Sequence, residues 1–278
     1  MMKTVFKFLI EFMNIGGIAR SLVLRRELIR TLTVRDFKAR FRGSFGGVFW
    51  AVLQPLMMMV IYTLVFSGFL KVKFGSSESP FTFAVFLLCG LLPWIAFADG
   101  MSSSTGLIRG NANLVKRVVF PLEVLPLTLT LVALIQQSIG FVLLIPVAWL
   151  VTGRLSWTLV FIPLIFIIQI LFYTGVNWIW SSLSVYLPDL KQITAILLSM
   201  LMFLTPIFYP LEVLPGWAQK IMIFSPMARI IEMYRKAILT GQLIGLRDWV
   251  ITGAMVLLCF LAGYFWFIHT KNGFSDVL

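Results

Sequence analysis

Charged residues and metal-binding side chains are scarce in this sequence. Only 12% of its 278 residues are charged, against about 25% in a typical soluble domain. It has one histidine, His269, and two cysteines, Cys89 and Cys259, which lie inside apolar runs and form no CxxC pair. These counts argue against a zinc site and a disulfide scaffold, so we interpret the cysteines as buried thiols without a chemical role.

Nucleotide-binding and catalytic motifs are also lacking. Neither GxxxxGKS nor GxxxxGKT occurs, so the chain has no P-loop with which to hold ATP. Asp99, Glu123 and Asp189 lie near the ends of apolar runs, and none is paired in the sequence with a histidine or a second carboxylate. We therefore predict no catalytic residue, no metal site and no cofactor in this chain, and we interpret the three carboxylates as interfacial or salt-bridged.

Long apolar runs make up most of the chain. Hydrophobic residues account for 60% of it, and the mean hydropathy is +0.97. A run of about 20 apolar residues is long enough to cross a bilayer, where a helix satisfies its own backbone hydrogen bonds. The sequence predicts an all-α integral membrane protein with a six-helix domain over 45–268. The spans are about 45–70, 81–103, 121–151, 157–186, 192–210 and 249–268.

Basic residues are unequally distributed between the two ends of these spans. The N-terminal segment holds ten and the loop after the second span holds three, whereas the opposite short loops hold two and one. Because cytoplasmic loops carry the excess of Lys and Arg, both termini and the tail 269–278 are predicted to be cytoplasmic. The net charge is +12, and we expect the basic residues to contact anionic lipid rather than nucleic acid. The residues are Lys3, Lys7, Arg20, Arg25, Arg26, Arg30, Arg35, Lys38, Arg40, Arg42, Arg109, Lys116 and Arg117 on the cytoplasmic side, and Lys71, Lys73 and Arg154 on the other.

Residues 1–44 are predicted to form a cytoplasmic segment with an amphipathic interface helix. Lys7, Glu11 and Asn14 interrupt the first apolar run, so we expect an interfacial segment there rather than a cleaved signal peptide. Residues 22–34 place leucines on one stripe of a helix and arginines on another, which is typical of a helix lying in the membrane interface. These are Leu24, Leu28 and Leu32, and Arg26 and Arg30.

A cationic stretch meets the first span at residues 35–58, RDFKARFRGSFGGVFWAVLQPLMM. Glycine accepts backbone angles that other residues resist, so Gly43, Gly46 and Gly47 are predicted to turn the interface helix into the membrane. Trp50 is expected at headgroup depth, where an amphipathic ring is favoured.

The segment 210–248, between spans five and six, is too long for a simple turn. Ser225 suits a helix N-cap and Pro226 the first helical position. We predict two short helices that form a re-entrant hairpin from the outer face; the alternative is a helix lying on the outer surface. The second helix has an apolar face of Met227, Ile230, Ile231, Tyr234 and Ile238 and a polar face of Arg229, Glu232 and Lys236, with Glu232 and Lys236 spaced for an ion pair.

Two spans carry polar or aromatic stripes. Such groups in a membrane normally face the bundle or a water-filled path, and hydroxyl-binding amides next to aromatic rings suit a sliding glycan. The alternative is that these residues pack helices against one another. The predicted translocation path consists of Trp50, Gln54 and Tyr62 on span one, and Gln169, Tyr173, Asn177 and Ser181 on span four.

Three stretches carry a family resemblance. The first is RDFKARFRGSFGGVFW followed by LQP, with Arg35, Asp36, Phe37, Arg40, Arg42 and Trp50; the others are NANLVKRVVFPLEVLPL at 111–127 and SPMARIIEMYRKAIL at 225–239, which includes Ser225, Pro226 and Tyr234. Their order and spacing resemble the membrane subunit of ABC-type polysaccharide exporters, the type-2 ABC permeases for O-antigen, capsule or teichoic acid. Gly46 departs from the pattern, because the family more often has an aliphatic residue there.

The resemblance implies a homodimer in the bacterial cytoplasmic membrane with two separate ATP-binding subunits, which would hold ATP and Mg²⁺, and a lipid-linked polysaccharide substrate. It also implies that the loop 106–118 carries a short helix that docks into the ATPase. The residues for this contact are Asn113, Leu114, Val115, Lys116 and Arg117. Two alternatives remain: a small-molecule or drug exporter of the same architecture, and a membrane enzyme acting on lipid-linked sugars, for which this chain lacks a cluster of acidic or histidine residues.

Overall fold

The computed structural model describes residues 20, 22–69, 80–115 and 120–278. Helices dominate these residues, and the described part of the chain contains no strand. Lys116 and Arg117 of the predicted docking loop lie outside the described residues. The described helices are α1 (Arg26–Arg40), α2 (Trp50–Thr63), α3 (Pro80–Ser104), α4 (Leu107–Gly110), α5 (Ala112–Val115), α6 (Val124–Thr152), α7 (Ile162–Tyr186), α8 (Leu190–Leu204), α9 (Gly216–Ile223), α10 (Pro226–Arg235), α11 (Leu246–Thr270) and α12 (Phe274–Val277).

Within the described residues, five helical stretches are long and apolar enough to cross a membrane. They correspond to the predicted spans one, two, three, four and six, which are therefore confirmed as apolar helices. The predicted fifth span is a shorter helix, because α8 has only 15 residues, fewer than the roughly 20 that a crossing needs. The five stretches are Gly47–Phe66, Phe81–Ser104, Val124–Thr152, Trp157–Tyr186 and Leu246–Val277.

Helices α7 and α11 lie side by side and run in the same direction. The rings of Phe161 and Trp249 are 6.0 Å apart at one end, and Tyr186 donates to the Thr270 carbonyl (3.0 Å) at the other. Between these contacts, a Cβ atom placed on Gly263 would overlap the backbone of Gly175. The two backbones therefore touch, as small residues allow in membrane helix pairs.

Helices α3 and α6 run alongside α7. Ser184 Oγ on α7 lies 3.4 Å from the Ser104 carbonyl at the end of α3. Trp178 Nε1 donates to the Glu123 carbonyl (2.9 Å) just before α6. We call the end of the bundle that holds Ser104, Glu123, Tyr186 and Thr270 the α1 end. The opposite end, which holds Thr158, Phe161 and Trp249, is called the distal end.

The interface helix is longer than predicted and continues through the cationic stretch to Arg40. Of the predicted leucine stripe, Leu32 is buried and Leu28 packs partly buried against the same apolar cluster, whereas Leu24 is exposed. Gly43 and Gly47 have the positive φ angles (83° and 50°) expected of the predicted turn. Gly46 has an ordinary φ, but a Cβ there would lie 2.8 Å from Trp50 Nε1, so glycine gives the indole its space.

The two short helices predicted between spans five and six are present as α9 and α10. Ser225 Oγ accepts from the Ala228 N–H (3.3 Å) and Pro226 is the first helical residue, so the predicted cap is confirmed. The ion pair expected between Glu232 and Lys236 is replaced by others, because Lys236 reaches a carboxylate on α11. The predicted apolar face is buried at all five positions: Met227, Ile230, Ile231, Tyr234 and Ile238.

Arg235, at the end of α10, is a buried cation that the sequence analysis did not single out. Its guanidinium carbon lies 3.5 Å from the centre of the Phe86 ring, and its Nη2 donates to the Ile207 carbonyl (2.9 Å). Glu232 lies 3.7 Å away as its ionic partner. The arginine thereby ties α10 to α3 and to the segment that follows α8.

Candidate functional site: the α1 end and the polar interior

Glu123 joins three segments at the α1 end. Its carboxylate is nearly buried, with 6% of the residue exposed. It accepts a hydrogen bond from Arg25, immediately before α1, and its Oε2 lies 3.6 Å from Nζ of Lys271, which follows α11. The interpretation of Glu123 as a salt-bridged residue is therefore confirmed. One carboxylate holds the interface helix, the start of α6 and the C-terminal segment together.

Arg40 anchors the other end of the interface helix. Its Nη1 donates to Asp99 Oδ2 on α3 (2.5 Å) and to Gln136 Oε1 on α6 (2.7 Å). The interpretation of Asp99 as salt-bridged is thus confirmed, whereas Asp189 is exposed and has no ion pair within the described residues. Together, Arg40 and Glu123 attach both ends of α1 to the bundle, so a displacement of α1 would be passed to the long helices.

The other residues of the cationic signature lie nearer to solvent or lipid. Arg35 and Asp36 pair with each other at 2.8 Å on the surface. Phe37 packs edge-on against Phe41, with ring centres 5.4 Å apart. Arg42 is exposed and Trp50 is 46% exposed. Of this predicted set, Arg40 is therefore the one whose side chain contacts α3 and α6.

The predicted docking loop follows α3 at the same end. Arg109 donates to the Val185 carbonyl at the end of α7 (2.9 Å), and Ile108 is fully buried. Asn113 is exposed and Leu114 packs partly buried on the apolar cluster beneath the loop. The helix α5 ends at Val115. The loop is thus fixed to α7, and its contact with an ATPase stays a prediction.

The polar residues of span four form a buried hydrogen-bond network. Gln169 and Tyr173 on α7 join Gln137 on α6 and Tyr234 on α10, and all four are at most 3% exposed. Gln169 Nε2 donates to Gln137 Oε1 (2.6 Å) and to the Tyr173 hydroxyl (2.6 Å). Tyr234 donates to Gln169 Oε1 (2.5 Å), and Tyr173 donates to the Pro93 carbonyl (2.6 Å). The network links four helices inside one chain.

Asn177 and Ser181 continue the same stripe towards the α1 end. Asn177 Nδ2 donates to Thr130 Oγ1 on α6 (3.0 Å) and lies against Gly100 of α3. Ser181 donates to the Trp178 carbonyl within its own helix (3.2 Å). Both side chains are buried. This placement supports the packing alternative for the span-four stripe, because its residues are in contact with neighbouring helices of the same chain.

The stripe on α2 is more exposed than the one on α7. Trp50 and Gln54 are exposed and Tyr62 is half-buried. Gln54 lines a small cavity of about 60 Å³ together with Asp99, Gln136 and Gln137, the last of which belongs to the buried network. The structure therefore divides the predicted path residues into an exposed group and a buried group. Gln136 and Gln137 were missed by the sequence analysis, although two adjacent amides inside an apolar run are a readable signal for an interior polar site.

Comparison with known proteins identifies the family of this chain. The model of the family described as "ABC-2 type transporter" matches residues 27–239, from the interface helix to the turn after α10. The chain belongs to this family.

Several relatives are similar over most of their length. The O-antigen export system permease protein RfbA of Klebsiella pneumoniae is 30% identical over 223 residues, which cover 78% of this chain and 82% of the relative. The protein of the same name from Myxococcus xanthus is 30% identical over 225 residues, with the same coverage. The polysialic acid transport protein KpsM of Escherichia coli is 26% identical, covering 79% and 84%. These relatives are thus named for the export of O-antigen or the transport of polysialic acid.

Proposed function

We propose that the chain is the membrane-spanning subunit of an ATP-driven exporter that moves a lipid-linked polysaccharide across the bacterial cytoplasmic membrane. The observation that carries this proposal is the family match over 27–239 together with 30% identity to O-antigen export permeases over 78% of the chain. A homodimer would enclose the path, and two separate ABC subunits would hold ATP and Mg²⁺. The chain would then contribute transport and coupling rather than catalysis.

The directions of the helices support six membrane crossings. Since α7 and α11 run in parallel, the chain has to return from the α1 end to the distal end between Tyr186 and Leu246. The segment available for this return begins with α8, a shorter apolar helix that carries Lys191 and Gln192 in its first turn. We propose that α8 and the residues after it make the fifth crossing, that both termini lie on the α1 side, and that this side is cytoplasmic.

The contacts of α10 support a re-entrant hairpin. Met227, at its start, has its sulfur 3.7 Å from the hydroxyl of Tyr173, which lies midway along α7. Beyond the other end of α10, the Ala237 carbonyl accepts from Thr158 (2.8 Å) at the distal end. We propose that α9 descends from the distal end, that the chain turns at Ser225 and Pro226, and that α10 returns, so that Tyr234 forms part of the interior.

The α1 end is the proposed ATPase-facing surface. It brings together the cationic helix α1, the loop that holds Asn113 and Leu114, and the C-terminal segment after α11. Glu123 and Arg40 attach α1 to α3, to α6 and to the segment after α11. A displacement of this end would therefore move the spans. We propose that Asn113–Arg117 and α1 together receive the ATPase.

Co-purification tests this assignment. The purified chain alone is expected to show no ATPase activity, and co-expression with its ABC ATPase is expected to give a stable complex that hydrolyses ATP. Replacing Asn113–Arg117 by a Gly/Ser linker should abolish the complex while leaving the chain folded. The matched control is serine at Arg154 and Leu155, two exposed positions in a loop at the distal end, which should leave the complex intact. Equal complex formation by both variants would refute the docking assignment.

A further inference from the structure

A cavity of about 330 Å³, with both polar and apolar walls, lies between α9, α10 and the start of α11 at the distal end. The polar face predicted for α10 lines it, with Arg229, Glu232 and Lys236, and Asp248 and Thr252 of α11 lie opposite. Asp248 and Thr252 are four residues apart, so they occupy one face of that helix. The cavity is separate from the α1 end and from the buried amide–tyrosine network.

Thr252 lines this cavity, and its hydroxyl, which lies just behind the cavity wall, has an unused hydrogen-bonding capacity. The residue is fully buried, and its Oγ1 has no hydrogen-bond partner anywhere in the described part of the chain. Buried hydroxyl groups are normally paired, because leaving one unpaired costs roughly 1–3 kcal/mol. Rotation of this side chain towards the cavity would let a hydroxyl-bearing ligand give Thr252 the partner that the protein does not supply.

Four of the five ionic side chains that line the cavity are already in ion pairs. Asp248 lies 2.8 Å from Nζ of Lys236 and 3.7 Å from Nη1 of Arg229. Glu232 lies 3.7 Å from Arg235. With Glu212, the lining therefore has three carboxylates against two cations, and Arg235 behind it balances the count. A site of this kind has no spare positive charge for an anionic ligand, but its paired groups can still exchange hydrogen bonds with hydroxyls.

The remaining walls suit the apolar face of a sugar ring. Met222 and Ile223 of α9 and Met233 of α10 line the cavity beside the polar groups. A pyranose presents hydroxyls around its edge and C–H groups on its faces, so it matches a cavity that combines a polar rim with thioether and aliphatic walls.

We propose that this cavity binds a neutral sugar unit of the exported polymer on the outward side of the membrane. The inference rests on the proposed function and narrows its substrate class to glycans with neutral residues. Thr252 and the Asp248 ion-pair cluster would hydrogen-bond to the sugar hydroxyls. Unlike the α1 end, this site would contact the polymer and not the ATPase.

Binding of simple sugars tests the proposal directly. The full chain in lipid nanodiscs is titrated with methyl α-mannoside, methyl β-galactoside and N-acetylneuraminic acid, with saturation-transfer NMR as the readout. At least one neutral glycoside is expected to bind saturably in the millimolar range. The anionic sugar is expected to bind at least about fivefold more weakly, since a charge that finds no partner is disfavoured. Thr252→Val should weaken binding of the neutral sugar about fivefold, the effect of one hydrogen bond.

A matched control is available in the same chain. Thr128 is also buried, but its hydroxyl donates to the Leu125 carbonyl of its own helix (2.8 Å), so Thr128→Val should leave sugar binding unchanged. Met222→Trp, which fills the cavity from its apolar wall, should abolish binding even if Thr252→Val is poorly folded.

Three results would overturn the inference: no saturable binding of either neutral glycoside, wild-type binding by both Thr252→Val and Met222→Trp, or tighter binding of N-acetylneuraminic acid. None of these results would contradict the proposed function, which is tested by ATPase complex formation and by export. Conversely, normal export in cells that lack the protein would refute the proposed function whatever the cavity binds.

Discussion

Replacing Tyr173 by phenylalanine removes one hydroxyl from the polar interior. That hydroxyl accepts from Gln169 Nε2 and donates to the Pro93 carbonyl, both at 2.6 Å. Hydrogen bonds between membrane helices contribute about 0.6 kcal/mol each on average. Gln169 Nε2 also donates to Gln137 Oε1, so it keeps a partner in the variant and adds no penalty for an unsatisfied donor. We therefore expect a loss of about 1 kcal/mol.

Thermal unfolding in nanodiscs measures this loss. A change of 1 kcal/mol lowers the Tm of a chain of this size by about 2–4 °C. Tyr186→Phe is the matched control, because this tyrosine is exposed and donates a single hydrogen bond to the Thr270 carbonyl (3.0 Å). Its Tm should fall by less than half as much. An unchanged Tm for Tyr173→Phe would contradict the network.

Cysteine labelling tests the same placement by a different property. In a chain with Cys89→Ala and Cys259→Ala, Tyr173→Cys should not react with a membrane-impermeant thiol reagent in the resting state, because the position is 1% exposed. Gln54→Cys, on the exposed stripe of α2, should react. If both positions react at the same rate, Tyr173 lines a water-filled passage and the packing interpretation is wrong.

Three further substitutions follow from the contacts. Glu123→Gln removes the partner of Arg25 and Lys271, half-exposed cations, so it should lower stability by about 1–2 kcal/mol and reduce ATP hydrolysis by the complex. Arg30→Gln on the exposed surface of α1 should do neither, and equal effects of the two variants would refute the role of Glu123 in joining the three segments. Gly263→Val should separate α7 from α11 and abolish the folded monodisperse protein in size-exclusion chromatography, whereas Gly253→Val, where a Cβ meets nothing within 4 Å, should be tolerated; a folded Gly263→Val protein would contradict the backbone contact. Gly46→Val should displace the Trp50 indole and shift its fluorescence, and an unchanged spectrum would refute the contact.

Features that depend on neighbouring residues could be predicted from the sequence alone. Runs of apolar residues identified five of the long helices, since a span needs only length and hydropathy. Ser225 and Pro226 identified the start of α10, because a cap depends on three or four neighbouring residues. The short α8 was also readable in hindsight: Pro206 restricts the residue before it to an extended backbone, and Thr205 indeed has ψ 139° and ends the helix.

Contacts between residues that are far apart in the sequence could not be predicted from it. Arg25 and Glu123 are 98 positions apart, and Arg40 and Asp99 are 59 apart, so nothing local indicates which carboxylate meets which cation. Lys236 illustrates the same limit, since the local rule favoured Glu232 whereas the fold supplies Asp248. Periodicity likewise showed that Gln169, Tyr173 and Asn177 share a face of span four but not what that face meets.

The central claim, that the chain exports a polysaccharide, is tested most directly by the location of the polymer in cells of the source bacterium that lack this protein. Surface polysaccharide and intracellular lipid-linked polysaccharide are quantified in the deletion strain and in strains complemented with the wild-type chain or with the variant in which a Gly/Ser linker replaces Asn113–Arg117. The account predicts that surface polymer falls to background while lipid-linked polymer accumulates inside, and that only the wild-type chain restores export. Unchanged surface polysaccharide in the deletion strain would contradict it.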